Sequence, residues 1–152
     1  MKLSLSLIKI NRFDSFSEFV HASSPRYFKN QLGKIEQYDL KKKDDLQKYN
    51  IHMIQFMKMA QIEKKIPYLL NQVHSDQVFV LRDVSQTQEQ IARVKADAII
   101  THLSNIPIGV FTADCIPILI CDPRLQVAAA IHAGRKGTCQ SIVNKTIMTM
   151  KR

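Results

Sequence analysis

The sequence has no tryptophan, only four glycines and only three cysteines among its 152 residues. An odd number of cysteines without a secretory signature argues against a small secreted domain held together by disulfides. Few aromatic residues lie among the basic ones, which disfavours a protein that binds single-stranded nucleic acid by base stacking. Acidic residues are also scarce, with 13 Asp and Glu against 22 Lys and Arg, and the resulting charge of +9 favours anionic partners such as phosphate or nucleotides.

Long apolar segments are absent as well. No apolar run reaches the roughly 20 residues that a membrane-spanning helix requires. Near the N-terminus Leu3, Leu5 and Leu7 alternate with serines, a pattern typical of a strand with one buried face rather than of a signal peptide. We therefore expect a cytoplasmic protein with reduced thiols, with neither a membrane nor nucleic acid as partner.

Hydrophobic patterning predicts one mixed α and β domain over residues 1–152. Apolar residues at helical spacing predict a helix from Asp44 that Pro67 ends, and a second helix is predicted to begin with Thr138 as its N-cap. Strands are predicted over the apolar segments 77–82, 96–101, 106–111, 116–121 and 126–132. The last four are almost continuously apolar, which predicts strands buried on both faces of a sheet that helices cover.

Three blocks in the second half of the chain each place one nitrogen or sulfur donor at or just beyond the end of an apolar segment. The donors are His74, Cys115 and His132. Two imidazoles and one thiolate form a typical zinc set, and three protein ligands leave a coordination position open for water or substrate. Each residue also has a purely structural interpretation, as a turn histidine, a small buried hydrophobe and a core histidine respectively.

Asp114 precedes Cys115 and offers a carboxylate for general acid or base catalysis, or for orienting a ligand imidazole. Its alternative role is that of a turn residue. Cys115 and His132 are also the ingredients of thiol catalysis, a role that a metal on the thiolate would remove.

A strand-to-helix junction follows His132. It comprises Gly134, Arg135, Lys136, Gly137 and Thr138. Glycines permit a tight turn, and helix N-terminal amides beside two cations form a candidate phosphate site. The alternative is a simple turn with exposed cations.

The same blocks resemble the YfiH-type family of purine nucleoside phosphorylases, formerly described as multicopper polyphenol oxidases or laccase-domain proteins. The matching motifs are Gln72 Val73 His74, Ala96 Asp97 Ala98 with Thr101, Thr112 Ala113 Asp114 Cys115 with Pro117, and His132 Ala133 Gly134 with Gly137 Thr138. The resemblance covers residues 66–150 well and the first 60 residues poorly.

The resemblance implies a zinc ion held by His74, Cys115 and His132, with copper as the alternative. It implies phosphorolysis of adenosine, inosine, guanosine or methylthioadenosine, together with adenosine deaminase activity. It also implies an α/β (α+β) sandwich with a mixed, largely buried sheet. Copper-dependent oxidation of phenols is the less attractive chemistry, because no further histidines match a multicopper cluster.

The chain departs from the family pattern in three places. The family's glycine-rich segment with an arginine has no clear counterpart, since Ser23 to Arg26 is at best a degenerate remnant of it. Arg135 and Lys136 stand where the family has Trp and Arg, and the sequence ends at Arg152, before further family strands. We expect a domain that lacks the C-terminal part of the family fold, with an exposed sheet edge that favours a homodimer or larger assembly. The alternative function is that of a catalytically impaired remnant that binds partners.

Overall fold

The computed structural model describes residues 19–23, 28–29, 35–36, 43–62 and 66–151. The chain divides into two compact units, residues 1–66 and 67–152. The strand predicted around Leu5 and most of the Ser23 to Arg26 segment lie outside the described residues. The organisation of residues 1–152 as one domain stays a prediction.

In the first unit, β1 (Phe28–Lys29) pairs antiparallel with β2 (Ile35–Glu36), and the helix α1 follows at Lys43–Met59. The sequence predicted that Pro67 ends this helix, and that prediction is wrong, because the helix ends at Met59. Gln61 takes a left-handed conformation with φ 61°, and the N–H groups of Gln61 and Ile62 bond back to the carbonyls of Lys58 and Met57. This Schellman arrangement ends the helix before the proline.

The second unit contains a four-stranded sheet and three short helices. The elements are β3 (Val78–Leu81), α2 (Gln88–Ile91), β4 (Ala98–Thr101), β5 (Ile116–Asp122), β6 (Val127–Ala133), α3 (Arg135–Cys139) and α4 (Ile142–Met150). The strand order is β3-β4-β6-β5, with β3 parallel to β4 and the other two pairs antiparallel. The predicted α+β fold with a mixed sheet is confirmed.

Apolar residues bury both faces of the two central strands. On one face Ile142 of α4 packs against Ala98 and Ile131, and on the other Ile99 and Ala130 join a second core cluster. Every residue of β4 is buried, as is nearly every residue of β6. The prediction that both faces of the strands are covered is therefore confirmed for these two strands. It is wrong for β5, an edge strand whose residues are half-buried or exposed.

Two further predictions differ from the structure. Residues 106–111 form no strand, because this segment makes only a single parallel bridge, between Ile108 and Tyr68. Thr138 does not cap a helix, because α3 already begins at Arg135 with Gly134 as its N-cap. The helical path then breaks at Ser141, whose left-handed backbone (φ 63°) separates α3 from α4.

None of the helices in the described part of the chain has both the length and the apolar character needed to cross a membrane.

Candidate metal centre

His74 lies in a tight turn just before β3. Its backbone is left-handed, with φ 59°, a conformation that histidine adopts more readily than bulky or β-branched residues do. Three consecutive backbone N–H groups, of Val73, His74 and Ser75, donate to the carboxylate of Asp97 at 3.3, 2.9 and 2.6 Å. The turn is therefore folded around a single buried carboxylate.

Cys115 immediately precedes β5, at the end of a loop. Hydrogen bonds of Gln72 connect this loop to the segment that carries His74. The side-chain amide of Gln72 donates to the carbonyl of Phe111 and accepts from its N–H, each at 2.7 Å. Within the loop the hydroxyl of Thr112 donates to the carbonyl of Cys115. Cys115 is half-buried, unlike the fully buried core residue of the alternative interpretation.

His132 is the penultimate residue of β6 and lies opposite Pro117 of β5. Its backbone N–H donates to the Asp97 carbonyl at 2.7 Å, and its Nδ1 lies 2.8 Å from Asp97 Oδ1. Burial raises the pKa of Asp97, but the hydrogen bonds from His132, Ser75 and Val73 outweigh it, so the pKa lies below its ordinary value. Asp97 is therefore a buried carboxylate that stays ionised and holds one imidazole.

The fold brings the three sequence-predicted donors together. The ligand atoms of His74, Cys115 and His132 all lie within 4.8 Å of one another, and the two imidazole rings meet edge to face with centroids 4.8 Å apart. Zinc bonds of about 2.0 Å to nitrogen and 2.3 Å to sulfur would draw the three donor atoms closer together than this upper limit. Among the described residues, no other group of His, Cys, Asp or Glu side chains is placed to share an ion.

Gly134 lies directly against the three donors. A Cβ at this position would stand 3.0 Å from His74 Cδ2, 3.4 Å from Cys115 Sγ and 3.7 Å from His132 Cε1. Any side chain would therefore press on the histidine and crowd the thiol. Glycine at the N-cap of α3 keeps that space open.

The rest of the predicted phosphate turn is also close to the site. A Cβ at Gly137 would come within 2.6 Å of the Ser75 carbonyl oxygen, so α3 packs tightly on the His74 turn. Arg135, Lys136 and Thr138 are exposed on α3. The structure thus places two exposed cations on the short helix that follows the donor cluster.

Asp97 is a carboxylate that contacts a donor imidazole, that of His132. Asp114 is exposed in the loop before Cys115. In the sequence, Asp97 stands out only as part of the family motif Ala96 Asp97 Ala98, which predicts no role for it. A lone carboxylate between Ala96 and Ala98, inside an apolar segment, was the available signal, because a buried charge needs partners.

Residues 23–152 match the family described as multi-copper polyphenol oxidoreductase laccase, and the chain belongs to this family. A purine nucleoside phosphorylase of Clostridium acetobutylicum is 43% identical over 88 residues, which are 58% of this chain and 34% of that protein. An Aquifex aeolicus purine nucleoside phosphorylase is 36% identical over 65% of this chain and 44% of its own length. An adenosine deaminase from an unknown prokaryote is 36% identical over 53% of this chain and 32% of that protein.

Solved structures of this family share the fold. A Neisseria meningitidis protein of the DUF152 family superposes with a TM-score of 0.54 at 26% identity, over 73% of this chain and 41% of that chain. The Bacillus licheniformis protein YfiH gives a TM-score of 0.50 at 26% identity, over 62% of this chain and 38% of that chain. The chain therefore spans less than half the length of the relatives it matches.

Proposed function

We propose that this protein is a zinc-dependent purine nucleoside phosphorylase that acts in the cytoplasm on adenosine, inosine, guanosine or methylthioadenosine. The observation that carries the proposal is the convergence of His74, Cys115 and His132. The relatives named as purine nucleoside phosphorylases support the reaction class.

Zinc suits the donor set because two imidazoles and one thiolate are common zinc ligands and leave one position open. A zinc ion held there would act as a Lewis acid or activate a bound water. Copper is the alternative metal, since a set of two histidines and one cysteine also binds copper. A multicopper cluster would need further donors, and among the described residues the group that could hold an ion has these three members.

The chain's own groups have distinct proposed roles in the reaction. Asp97 fixes the ring of His132 through Nδ1, so that Nε2 is the nitrogen left for the metal. Gly134, Arg135, Lys136, Gly137 and Thr138 form the proposed phosphate site, in which the two exposed cations offset the charge of the phosphate. Asp114 is the proposed general acid or base, and the same site would carry adenosine deamination.

A coupled assay tests the function directly. Zinc-loaded protein should release the free base from inosine or adenosine only when phosphate is present, and chelation should stop the release. Inosine formed from adenosine without phosphate would show the deaminase reaction separately. Base release no faster than in the protein-free control, from a sample with stoichiometric zinc, would refute the proposal.

A catalytically impaired protein that binds a partner is the second candidate. The observation that favours it is the turn after His132, where Arg135 and Lys136 stand in place of the Trp and Arg of the family pattern. Phosphorolysis well above background would exclude it. Copper-dependent oxidation of a phenol, lost on copper removal and absent from zinc-loaded protein, would instead favour the third candidate, a polyphenol oxidase.

A further inference from the structure

We propose that Asp97 is a positioning residue that presets both histidine donors before any metal binds. The inference rests on the proposed metal site but not on the reaction. It concerns a residue that contacts the backbone of His74 and the ring of His132, and that would act through these two donors.

One oxygen of the Asp97 carboxylate links the two histidines. Oδ1 accepts from the backbone N–H of His74 at 2.9 Å and lies 2.8 Å from Nδ1 of His132. The other oxygen, Oδ2, accepts from the N–H groups of Val73 and Ser75 and from the Ser75 hydroxyl, at 3.3, 2.6 and 2.7 Å. The backbone of one donor and the ring of the other are thus fixed to the same group.

The first consequence concerns the tautomer of His132. A carboxylate can only accept, so the imidazole nitrogen facing Oδ1 must carry the proton. The lone pair then lies on Nε2, the nitrogen left to face Cys115 and His74. Because the ring is 4% exposed, water cannot readily supply a competing partner.

The second consequence concerns the backbone of His74. Its left-handed conformation is held by consecutive N–H groups that all point to one anion. Without the carboxylate these N–H groups would bond to water instead, and the turn would lose the hydrogen bonds that hold it. The side chain of His74 would then sample directions away from Cys115.

The third consequence is that an amide cannot replace the carboxylate. Asp97 accepts five hydrogen bonds and donates none. In Asp97→Asn an NH₂ group would replace one of the two oxygens and would face the N–H or O–H groups that donate to that oxygen. Either the His132 contact or the Ser75 contacts would turn repulsive, although the shape of the side chain is kept.

The test compares Asp97→Asn with a matched carboxylate elsewhere in the same unit. Asp83 accepts from the N–H of Ser85 at 2.9 Å and from its hydroxyl, much as Asp97 does from Ser75, but it is exposed and these hydrogen bonds involve no donor. Zinc affinity is measured by competition with a chromophoric chelator on the full chain. Asp97→Asn should lower the affinity by about 10- to 100-fold, whereas Asp83→Asn should leave it within about twofold.

A second measurement on the unaltered, metal-free protein does not depend on the variant folding. Long-range ¹H–¹⁵N NMR correlations report which ring nitrogen of His132 is protonated, and we expect Nδ1–H. An Nε2–H tautomer, or an Asp97→Asn protein that binds zinc as tightly as the unaltered chain, would overturn the proposal. Zinc binding that depends on Asp97, in a protein that cleaves no nucleoside, would refute the proposed function and leave this inference standing.

Discussion

The side-chain amide of Gln72 pairs with the backbone of Phe111 much as a neighbouring strand would, giving and receiving one hydrogen bond at 2.7 Å each. Gln72 stands two residues before His74, and Phe111 stands four residues before Cys115. This pair joins the segment of one donor to the loop of another. It is separate from the hydrogen bonds of the Asp97 carboxylate, which reach the Val73 to Ser75 turn and the ring of His132.

We expect Gln72→Ala to release the Cys115 loop while the two histidines stay in place. Cobalt bound in the site should then show a weaker thiolate-to-metal charge-transfer band, and zinc affinity should fall by roughly tenfold, in line with other losses of support around a ligand. Gln77→Ala is the matched control, because its amide contacts only the side chain of Asp76, at 3.2 Å. An unchanged band in Gln72→Ala would contradict this prediction.

Gly134→Ala should weaken metal binding by crowding the donors. The added methyl group would lie 3.0 Å from His74 Cδ2, which requires the His74 ring to give way, and would touch Cys115 Sγ at 3.4 Å. Zinc affinity measured by chelator competition should therefore fall. Gly109→Ala is the control, since its methyl group would meet the flexible end of Leu69 at 3.2 Å and no donor; equal affinities in the two variants would argue against crowding.

Cys115→Ala should abolish both stoichiometric zinc binding and phosphate-dependent base release. The thiolate is the one sulfur donor of the cluster, and two histidines alone bind zinc much more weakly. Cys121→Ala serves as the control, because burial raises the pKa of that thiol and keeps it protonated. Metal analysis that finds a full equivalent of zinc in Cys115→Ala would remove this residue from the ligand set.

The contribution of Asp97 to stability should depend on pH. Its pKa is lowered in the folded protein, so its stabilising effect is fully present above the unfolded-state value of about 3.9 and is lost as the pH falls through the folded-state value. In metal-free protein at pH 7, Asp97→Asn should lower the free energy of unfolding by about 3 kcal/mol. Urea unfolding at pH 7 and near pH 3 should show this difference shrinking at the acidic end; a constant difference would refute the assignment.

We expect the protein to self-associate through the β5 side of the sheet. β5 is an edge strand of the four-stranded sheet, and Ile116 at its start is 62% exposed. Ile116→Lys should shift the assembly toward monomer in sedimentation velocity, whereas Leu125→Lys, in the turn after β5, should not. A stable monomer of the unaltered chain at micromolar concentration would exclude the assembly.

Sequence patterns predicted the strands of this fold better than its connections. The apolar segments that became β5 and β6 were located to within one residue at either end, because burial on a sheet favours such runs directly. The 106–111 segment is equally apolar but packs as a loop on the core, with Tyr68 bonded to Pro107 and Gly109. Composition cannot separate these cases, since both bury the same kind of surface.

The three candidate donors were predictable for a similar reason. The hydrogen bonds to Asp97 that hold two of them were not. His74, Cys115 and His132 lie where apolar segments end, a local signal that the sequence carries. Asp97 reaches His132 because β4 and β6 pair antiparallel with Ala98 opposite Ile131, which is a matter of register. Thr138 is a residue type that favours the N-cap position, but α3 begins earlier, with Gly134 as its N-cap. Gly134 lies against the three donors, where a side chain would press on His74.

Among the described residues, the three candidate donors and the side chains that hold them lie between Gln72 and Gly137, inside the second compact unit. The candidate metal site therefore lies in one continuous segment of the sequence. Residues 72 to 137 carry both the candidate ligands and the hydrogen bonds that hold them in place.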